Sequence, residues 1–272
     1  MSENPPHIEG ARHLASRLTA ESLQDRQLLR RTDAVAVRTL LPGIAVVKLG
    51  GASILDRGPE ALLPVITELG TLAAKYPLLI TVGEGARGRH VYGIAADLGL
   101  PTGMLASLGS SVAEQNALIV RTLMMEHGAV APPVGLLPIV LNGQPVVMSG
   151  MPPFGWWEPP PTSGRVPEHR TDAGTFLTAE VFGCATVIYV KDQDGLYDRD
   201  PAAHPEASLI PEITVSELLA RKLDDLPIDP IVLELLSNAR LVKKVQIVNG
   251  LRPGAITRAL AGNPEGSVIT AT

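Results

Sequence analysis

The sequence predicts an α/β fold, a three-layer αβα sandwich around a mainly parallel central sheet. Three observations predict it. Aliphatic and β-branched runs at residues 44–47, 78–82 and 186–190 lack polar alternation, as strands buried on both faces do. Segments of helical periodicity stand between the strands, which implies a parallel sheet covered on both faces. Each of the three runs leads into a turn that combines glycine with charged side chains. Such turns at strand carboxyl ends are where open α/β sheets bind ligands.

The stretch Ile44-Ala45-Val46-Val47-Lys48-Leu49-Gly50-Gly51-Ala52 organises the chain. Gly50 and Gly51 let the backbone approach an anion, and Lys48 supplies a point charge beside it. The stretch is a phosphate or oxyanion cradle, or else an ordinary β-turn with a snorkelling lysine. It is not a Walker A loop, because the Gly-x4-Gly-Lys-Ser/Thr order is absent.

Residues 1–40 form an arm, with a short amphipathic helix over 13–29 that lies on its own subunit or embraces a neighbour. Pro59 opens a helix. Its apolar stripe is Leu62, Leu63, Val65, Ile66, Leu69 and Leu72. The second strand ends in Gly83-Glu84-Gly85-Ala86-Arg87-Gly88-Arg89-His90. A helix start there offers free N–H groups to an anion, and the two glycine turns would face one crevice. Ser111-Val112-Ala113-Glu114 is a capping box. It starts a helix that runs to about His127 and closes at Gly128, with Val112, Ile119, Val120, Leu123 and Met124 as core candidates. Glu114, Gln115 and Asn116 reach a ligand, or else are solvated or capping groups. Residues 130–141 are apolar but broken by prolines, a strand and loop, and a short strand covers 146–148.

Three of the nine aromatic residues, Phe154, Trp156 and Trp157, lie in a proline-rich loop that runs on to Val166. So apolar a loop is an interface, a lid, or a cover for its own domain. Arg170-Thr171-Asp172-Ala173-Gly174 begins a helix that turns Phe176, Leu177, Val181 and Phe182 inward and ends at Gly183. Asp172 is a helix-start carboxylate or one that orients metal and phosphates. The third buried strand runs into Lys191-Asp192-Gln193-Asp194-Gly195-Leu196-Tyr197, which lacks the EF-hand pattern. Thr214-Val215-Ser216-Glu217 caps a further helix. A helix over 231–239, strands over 245–248 and 268–270, and a helix start at Pro253-Gly254 complete the chain.

The 272 residues, 45% hydrophobic, suffice for a full core. A net charge of −5 and a pI near 5.7 argue against non-specific nucleic-acid binding. The single cysteine, Cys184, excludes an internal disulfide and reads as apolar packing. No apolar run reaches spanning length and no signal peptide is expected, so the expectation is cytoplasmic with no membrane contact. Of six histidines, His90, beside the second glycine turn, is the candidate ligand, the alternative being a surface histidine.

Assembled in order, these motifs resemble the amino acid kinase family, uridylate kinases in particular. Lys48-x-Gly50-Gly51 and Gly83-x-Gly85 with Arg87 resemble the family's two phosphate turns. Thr171-Asp172-Ala173 resembles its active-site aspartate. Lys191-Asp192-x-Asp194-Gly195-x-Tyr197 resembles its nucleotide-binding turn. The tail from Val248-Asn249-Gly250 to Ile269-Thr270 is similar too. The resemblance covers about residues 41–272. It implies an acceptor or oxyanion half over about 41–170 and an ATP half over about 171–272. It also implies Lys48, Asp172 and Lys191 as catalytic residues, and Mg²⁺ on Asp172. ATP would be bound by Lys48, Gly50, Gly51, Gly83, Gly85, Arg87, Lys191, Asp194, Gly195 and Tyr197, with the glycine N–H groups as donors.

Within the family, the chain resembles a branch of subunits that store molybdate or tungstate. The carrying segments are Ser22-Leu23-Gln24-Asp25-Arg26-Gln27-Leu28, Gln115-Asn116-Ala117, Ser149-Gly150-Met151-Pro152-Pro153, Arg170-Thr171-Asp172-Ala173-Gly174 and Val245-Gln246-Ile247-Val248-Asn249-Gly250-Leu251. This implies a hetero-oligomeric cage of two subunit types that binds ATP and holds oxyanions as polyoxometalate clusters, His90 being the candidate contact on this chain. One subunit type carries a histidine run where this chain has Gly155-Trp156-Trp157. The resemblance is therefore to the histidine-poor type, with a homologous, histidine-richer partner. Uridylate kinases carry an acceptor-fixing acid about ten positions before the asparagine that Asn116 matches. Ala106-Ser107-Leu108-Gly109 stands there instead, against uridylate as acceptor.

Overall fold

The aliphatic runs form the strands expected of them. In the computed structural model, which describes Arg30 and residues 34–132, 143–152, 158–184, 186–223 and 225–272, β1 (Ala45–Leu49), β2 (Leu78–Val82), β3 (Val146–Ser149) and β4 (Thr186–Lys191) pair in parallel. A short hairpin of β5 (Leu196–Tyr197) and β6 (Leu209–Ile210) stands apart. Beyond it come β7 (Glu212–Thr214), β8 (Lys244–Asn249) and β9 (Ser267–Thr270). The seven-stranded sheet has the order β3-β2-β1-β4-β8-β9-β7. It is mainly parallel, with β9 antiparallel to β8. Gly266, at φ +66, turns the chain back against Ile247 there.

The helices are α1 (Pro59–Ala73), α2 (Gly85–Asp97), α3 (Thr102–Leu123), α4 (Thr171–Phe182), α5 (Val215–Arg221), α6 (Ile231–Asn238) and α7 (Ala255–Leu260). Strand alternation sorts them into two layers. Val46, Leu79, Tyr189 and Ile247 face Phe176 of α4, Leu218 of α5, and Val232, Leu233 and Leu236 of α6. Ala45, Val47, Ile80 and Ile188 face Leu62, Val65, Ile66, Leu69 and Leu72 of α1, Ala117 and Val120 of α3, and Ala255 and Ile256 of α7. Each large aliphatic side chain so buried stabilises the fold by about 1.5–3 kcal/mol. Cys184 is buried, and burial pushes its thiol up to about 11, which leaves it uncharged at neutral pH. Among the described residues no helix is long and apolar enough to cross a membrane.

Local signals misplace one helix start. The capping box at Ser111 is not an end, since α3 begins at Thr102 and the Ser111 hydroxyl donates back to Ser107 O at 3.2 Å. The added turns bury Leu105 against Tyr92 and Ala95 of α2, and Ala106 against Ala113 and Met151. Tertiary burial thus outweighs the local cap. The helix itself ends at Leu123, short of the expected His127, and a separate 3₁₀ turn over Met125–His127 leads to the expected left-handed Gly128. Ile119, Leu123 and Val181, expected inside, are exposed, as is Leu63. Val181 stands two residues from Ala179 and five from Phe176, on the face of α4 turned away from the sheet, so apolar character alone does not fix facing. The Thr214–Glu217 capping box forms as expected.

The chain divides into two compact units, residues 1–38 and 39–272. The helix expected over 13–29, most of the loop over 130–141, and Phe154, Trp156 and Trp157 lie outside the described residues.

Leu69 is fully buried and Leu63, on the same helix, is 46% exposed. Leu69→Ala is expected to cost about 2–5 kcal/mol of unfolding free energy, and Leu63→Ala about 0.5 kcal/mol or less. Denaturant unfolding of the two variants checks this, and equal losses would contradict the assigned layer.

Candidate functional site

The sheet reverses its winding at β1, whose neighbours are β2 on one side and β4 on the other. That switch point opens a crevice at the strand carboxyl ends. Lys48 lies two residues beyond Val46 and so points to the same face, toward α4. There its ammonium meets the Asp172 carboxylate in the first turn of α4, with both groups buried. Lys191, at the end of β4, reaches the same carboxylate at 3.2 Å. The Asp229 N–H donates to Asp172 Oδ2 at 3.1 Å, and the Tyr189 hydroxyl donates to the Asp172 carbonyl at 2.9 Å.

Burial alone would raise the Asp172 pKa, but Lys191 and Lys48 outweigh it and hold the carboxyl well below its ordinary range. Burial works to lower both lysines. For Lys48 the Asp172 charge and hydrogen bond prevail and its pKa is raised. For Lys191 burial prevails, aided by repulsion from Lys48, and its pKa is lowered. One carboxylate therefore serves two ammonium groups, with the Asp229 charge acting on both lysines and the Glu84 charge on Lys48.

The two glycine turns interlock. A Cβ on Gly83 would lie 2.7 Å from the Gly51 nitrogen, and one on Gly51 would lie 2.6 Å from Gly85 Cα. Only glycine permits this backbone contact. The resemblance implies that all four glycines donate N–H groups to phosphate. Two of those groups are already used, because Gly50 N–H donates to Val190 O and Gly83 N–H to Leu49 O, both at 3.0 Å. The turns extend the sheet before they present donors. Asn116, fully buried on the same helical face as Ala113 and Val120, donates to Gly83 O at 2.7 Å and accepts from Arg87. It is neither solvated nor a cap; it braces the second turn.

A cavity of about 380 Å³ brings together Lys48, Gly50, Gly51, Gly83, Gly85, Asp172, Lys191 and Tyr197. Four other sequence candidates lie outside its lining. Arg87 is bonded to Asn116 and Gln115. Asp194 accepts from Asn249 Nδ2 at 2.7 Å and pairs with Arg252. Gly195, at φ +151, packs against Ser267, and His90 is exposed. Glu84, Arg170 and Asp229 also line the cavity, though the sequence assigns them no role, and so does Arg89, which the sequence places in the second turn without a specific contact. Arg170 pairs with Asp229. Arg89 has no ion-pair partner among the described residues. Arg89 lies four residues beyond Gly85 in the same helix, a spacing that could have singled it out over Arg87. The Tyr92 hydroxyl is buried without a hydrogen-bond partner among the described residues, and burial, then the Glu84 charge, pushes its pKa well up. Among the described residues no group of three or more His, Cys, Asp or Glu is placed to hold a metal ion.

Fold and crevice together define an α/β protein with a polar ligand site at its sheet switch point. The chain belongs to the amino acid kinase family, whose sequence profile matches residues 43–249. It is 47% identical over 259 residues to molybdenum storage protein subunit beta of Azotobacter vinelandii, covering 94% of this chain and 96% of that protein. It is 28% identical to a uridylate kinase of Methanothermobacter thermautotrophicus, covering 82% of this chain and 98% of that one. The solved structure of uridylate kinase from Archaeoglobus fulgidus matches with a TM-score of 0.65 at 22% identity, over 83% of this chain and 100% of that one. That likeness shows the shared fold.

A carboxyl held below its ordinary 3.8 stabilises the folded chain fully above that value and ceases to as pH falls through its folded pKa. Asp172→Asn leaves two buried ammonium groups without their carboxylate, and is expected to cost about 3–5 kcal/mol at pH 7. The gap to the unsubstituted protein should narrow below pH 3.8. Denaturant unfolding at pH 7 and at low pH measures it, and a pH-independent gap would refute the assignment.

Proposed function

We propose that this chain is an ATP-binding subunit of a hetero-oligomeric cage that stores molybdate or tungstate as polyoxometalate clusters. The observation that carries this reading is the 47% identity across 94% of the chain to molybdenum storage protein subunit beta. The partner would be a homologous, histidine-richer subunit that supplies much of the cluster binding. His90, exposed outside the cavity, is this chain's own candidate contact with the cargo. Residues 1–40 would strap a neighbouring subunit. The assembly would work in the cytoplasm, away from nucleic acid and membrane.

In this reading residues 41–170 form the acceptor or oxyanion half of the domain and residues 171–272 the ATP half. Lys48 and Lys191 neutralise phosphates. Gly51 and Gly85 donate N–H groups, while Gly50 and Gly83 shape the turns that aim them. Tyr197 walls the adenosine end, braced by Asp194 and Gly195 behind it, and Arg87 holds the second turn through Asn116. The lining carries five cations (Lys48, Arg89, Arg170, Lys191, Arg199) against six carboxylates (Glu84, Asp172, Asp192, Asp200, Asp225, Asp229). A polyanion entering such a lining needs a hard cation with it, and an oxygen-only donor set suits Mg²⁺. Bound Mg²⁺ would neutralise and orient the phosphate oxygens, held by Asp172.

A second reading is a uridylate kinase-like or other small-molecule kinase, favoured by the 28% identity to a uridylate kinase. Against it, the position of the acceptor-fixing acid holds Ala106, buried against Ala113 and Met151.

Lys48→Ala is expected to weaken ATP–Mg²⁺ binding by about 1.5–3 kcal/mol, the scale of one charge-assisted contact. Calorimetry with undiminished affinity would remove the lysine from the site. Expression with and without a homologous histidine-rich subunit, followed by loading with molybdate and ATP, tests the cage. The expected product is a large co-assembly that retains molybdenum, and a monomer that retains none even with the partner present would sink the storage reading.

A further inference from the structure

The turn after β2 places a carboxylate between its two glycines. Glu84 is buried in the cavity wall, at 8% exposure. Gly88, one turn further along α2, makes room for it, because a Cβ on Gly88 would lie 2.6 Å from Glu84 Cβ. Glu84 Oε2 accepts from the Thr171 hydroxyl at 2.8 Å, next to Asp172. Its charge also favours the protonated forms of Lys48 and Arg170, both of which line the cavity. Glu84 therefore serves this hydroxyl and these two cations as an incoming anion would.

A second internal carboxylate does the same nearby. Asp56 accepts from the Ala86 N–H at 2.5 Å, at the N-terminus of α2. The helix start that reads from sequence as a free anion site is thus already supplied with an anion by the chain. Arg170 is likewise engaged by Asp229. By contrast, the carboxylate that Lys191 contacts is one it shares with Lys48.

We propose that Glu84 is a specificity-determining residue whose carboxylate closes the α2–Thr171 side of the cavity to anionic phosphoryl acceptors. The Lys191–Tyr197 end is left for the nucleotide. The inference rests on the nucleotide-binding reading and deepens it, since a subunit of this kind retains ATP without passing its phosphoryl group to a phosphate monoester. Rejection by a fixed like charge is a general means of specificity.

The test is calorimetric titration of the full chain, in its assembled form as purified, with inorganic phosphate and with uridine 5′-monophosphate. Glu84→Gln keeps the acceptor for the Thr171 hydroxyl and removes only the charge. Glu84→Ala is the second variant, and Glu126→Gln is a charge control on an exposed carboxylate outside the cavity lining. Circular dichroism establishes that each variant is folded. Both Glu84 variants are expected to bind the two anions about tenfold or more tightly than the unsubstituted chain, and Glu126→Gln like that chain. Affinities within about twofold in a folded Glu84 variant, or no detectable gain, overturn the inference. Titration of the unsubstituted chain with ATP–Mg²⁺ is read separately. Its failure would defeat the nucleotide reading, whereas an unchanged phosphate affinity on removal of Glu84 defeats only this one.

Discussion

One buried carboxylate shared by two lysines holds the functional half of this molecule in place. Asp172 belongs to α4, Lys48 to β1 and Lys191 to β4, so the ion triad ties one helix to the two strands that flank the sheet's switch point. A buried charge is tolerated only when partners surround it. Here the partners are two ammonium groups and the Asp229 N–H. Two positive charges against one negative leave the triad under-neutralised. The lining around the triad carries six carboxylates against five cations, so a polyanion is received there only with a cation beside it.

The glycine turns answer to a second constraint, close approach of backbone to backbone. Gly51 and Gly83 meet where no side chain fits, and Asn116 and Asp56 brace the second turn and the helix start beyond it. Turns so supported arrive at a ligand already ordered, which lowers the entropic cost of binding. Two of the four glycine N–H groups serve the sheet. The turn geometry, more than the number of free donors, shapes this side of the crevice.

The family's fold hosts different functions, and the difference lies in side chains set into a common frame. In this chain those side chains are Ala106 in place of an acid, a carboxylate at Glu84 inside a glycine turn, and a cavity whose carboxylates outnumber its cations. None of them takes a place in the Lys48–Asp172–Lys191 triad.

Much of this was legible in the sequence. Unbroken aliphatic runs that end at glycine and lysine determine buried parallel strands with a ligand crevice at their carboxyl ends, because period and turn chemistry are local properties. The ordered set of motifs placed the chain in its family, and Lys48, Asp172, Lys191 and Tyr197 do meet in one cavity. Tertiary structure alone decided which neighbouring arginine faces that cavity, since Arg87 and Arg89 differ only in their direction around α2 and in the reach of Asn116 from α3. It also decided the start of α3, where burial against α2 outweighed a well-formed capping box. Glu84, Arg170 and Asp229 joined the site for the same reason. Their partners lie 59 to 87 positions away in the chain, and a contact of that separation exists only once the sheet has set the distances.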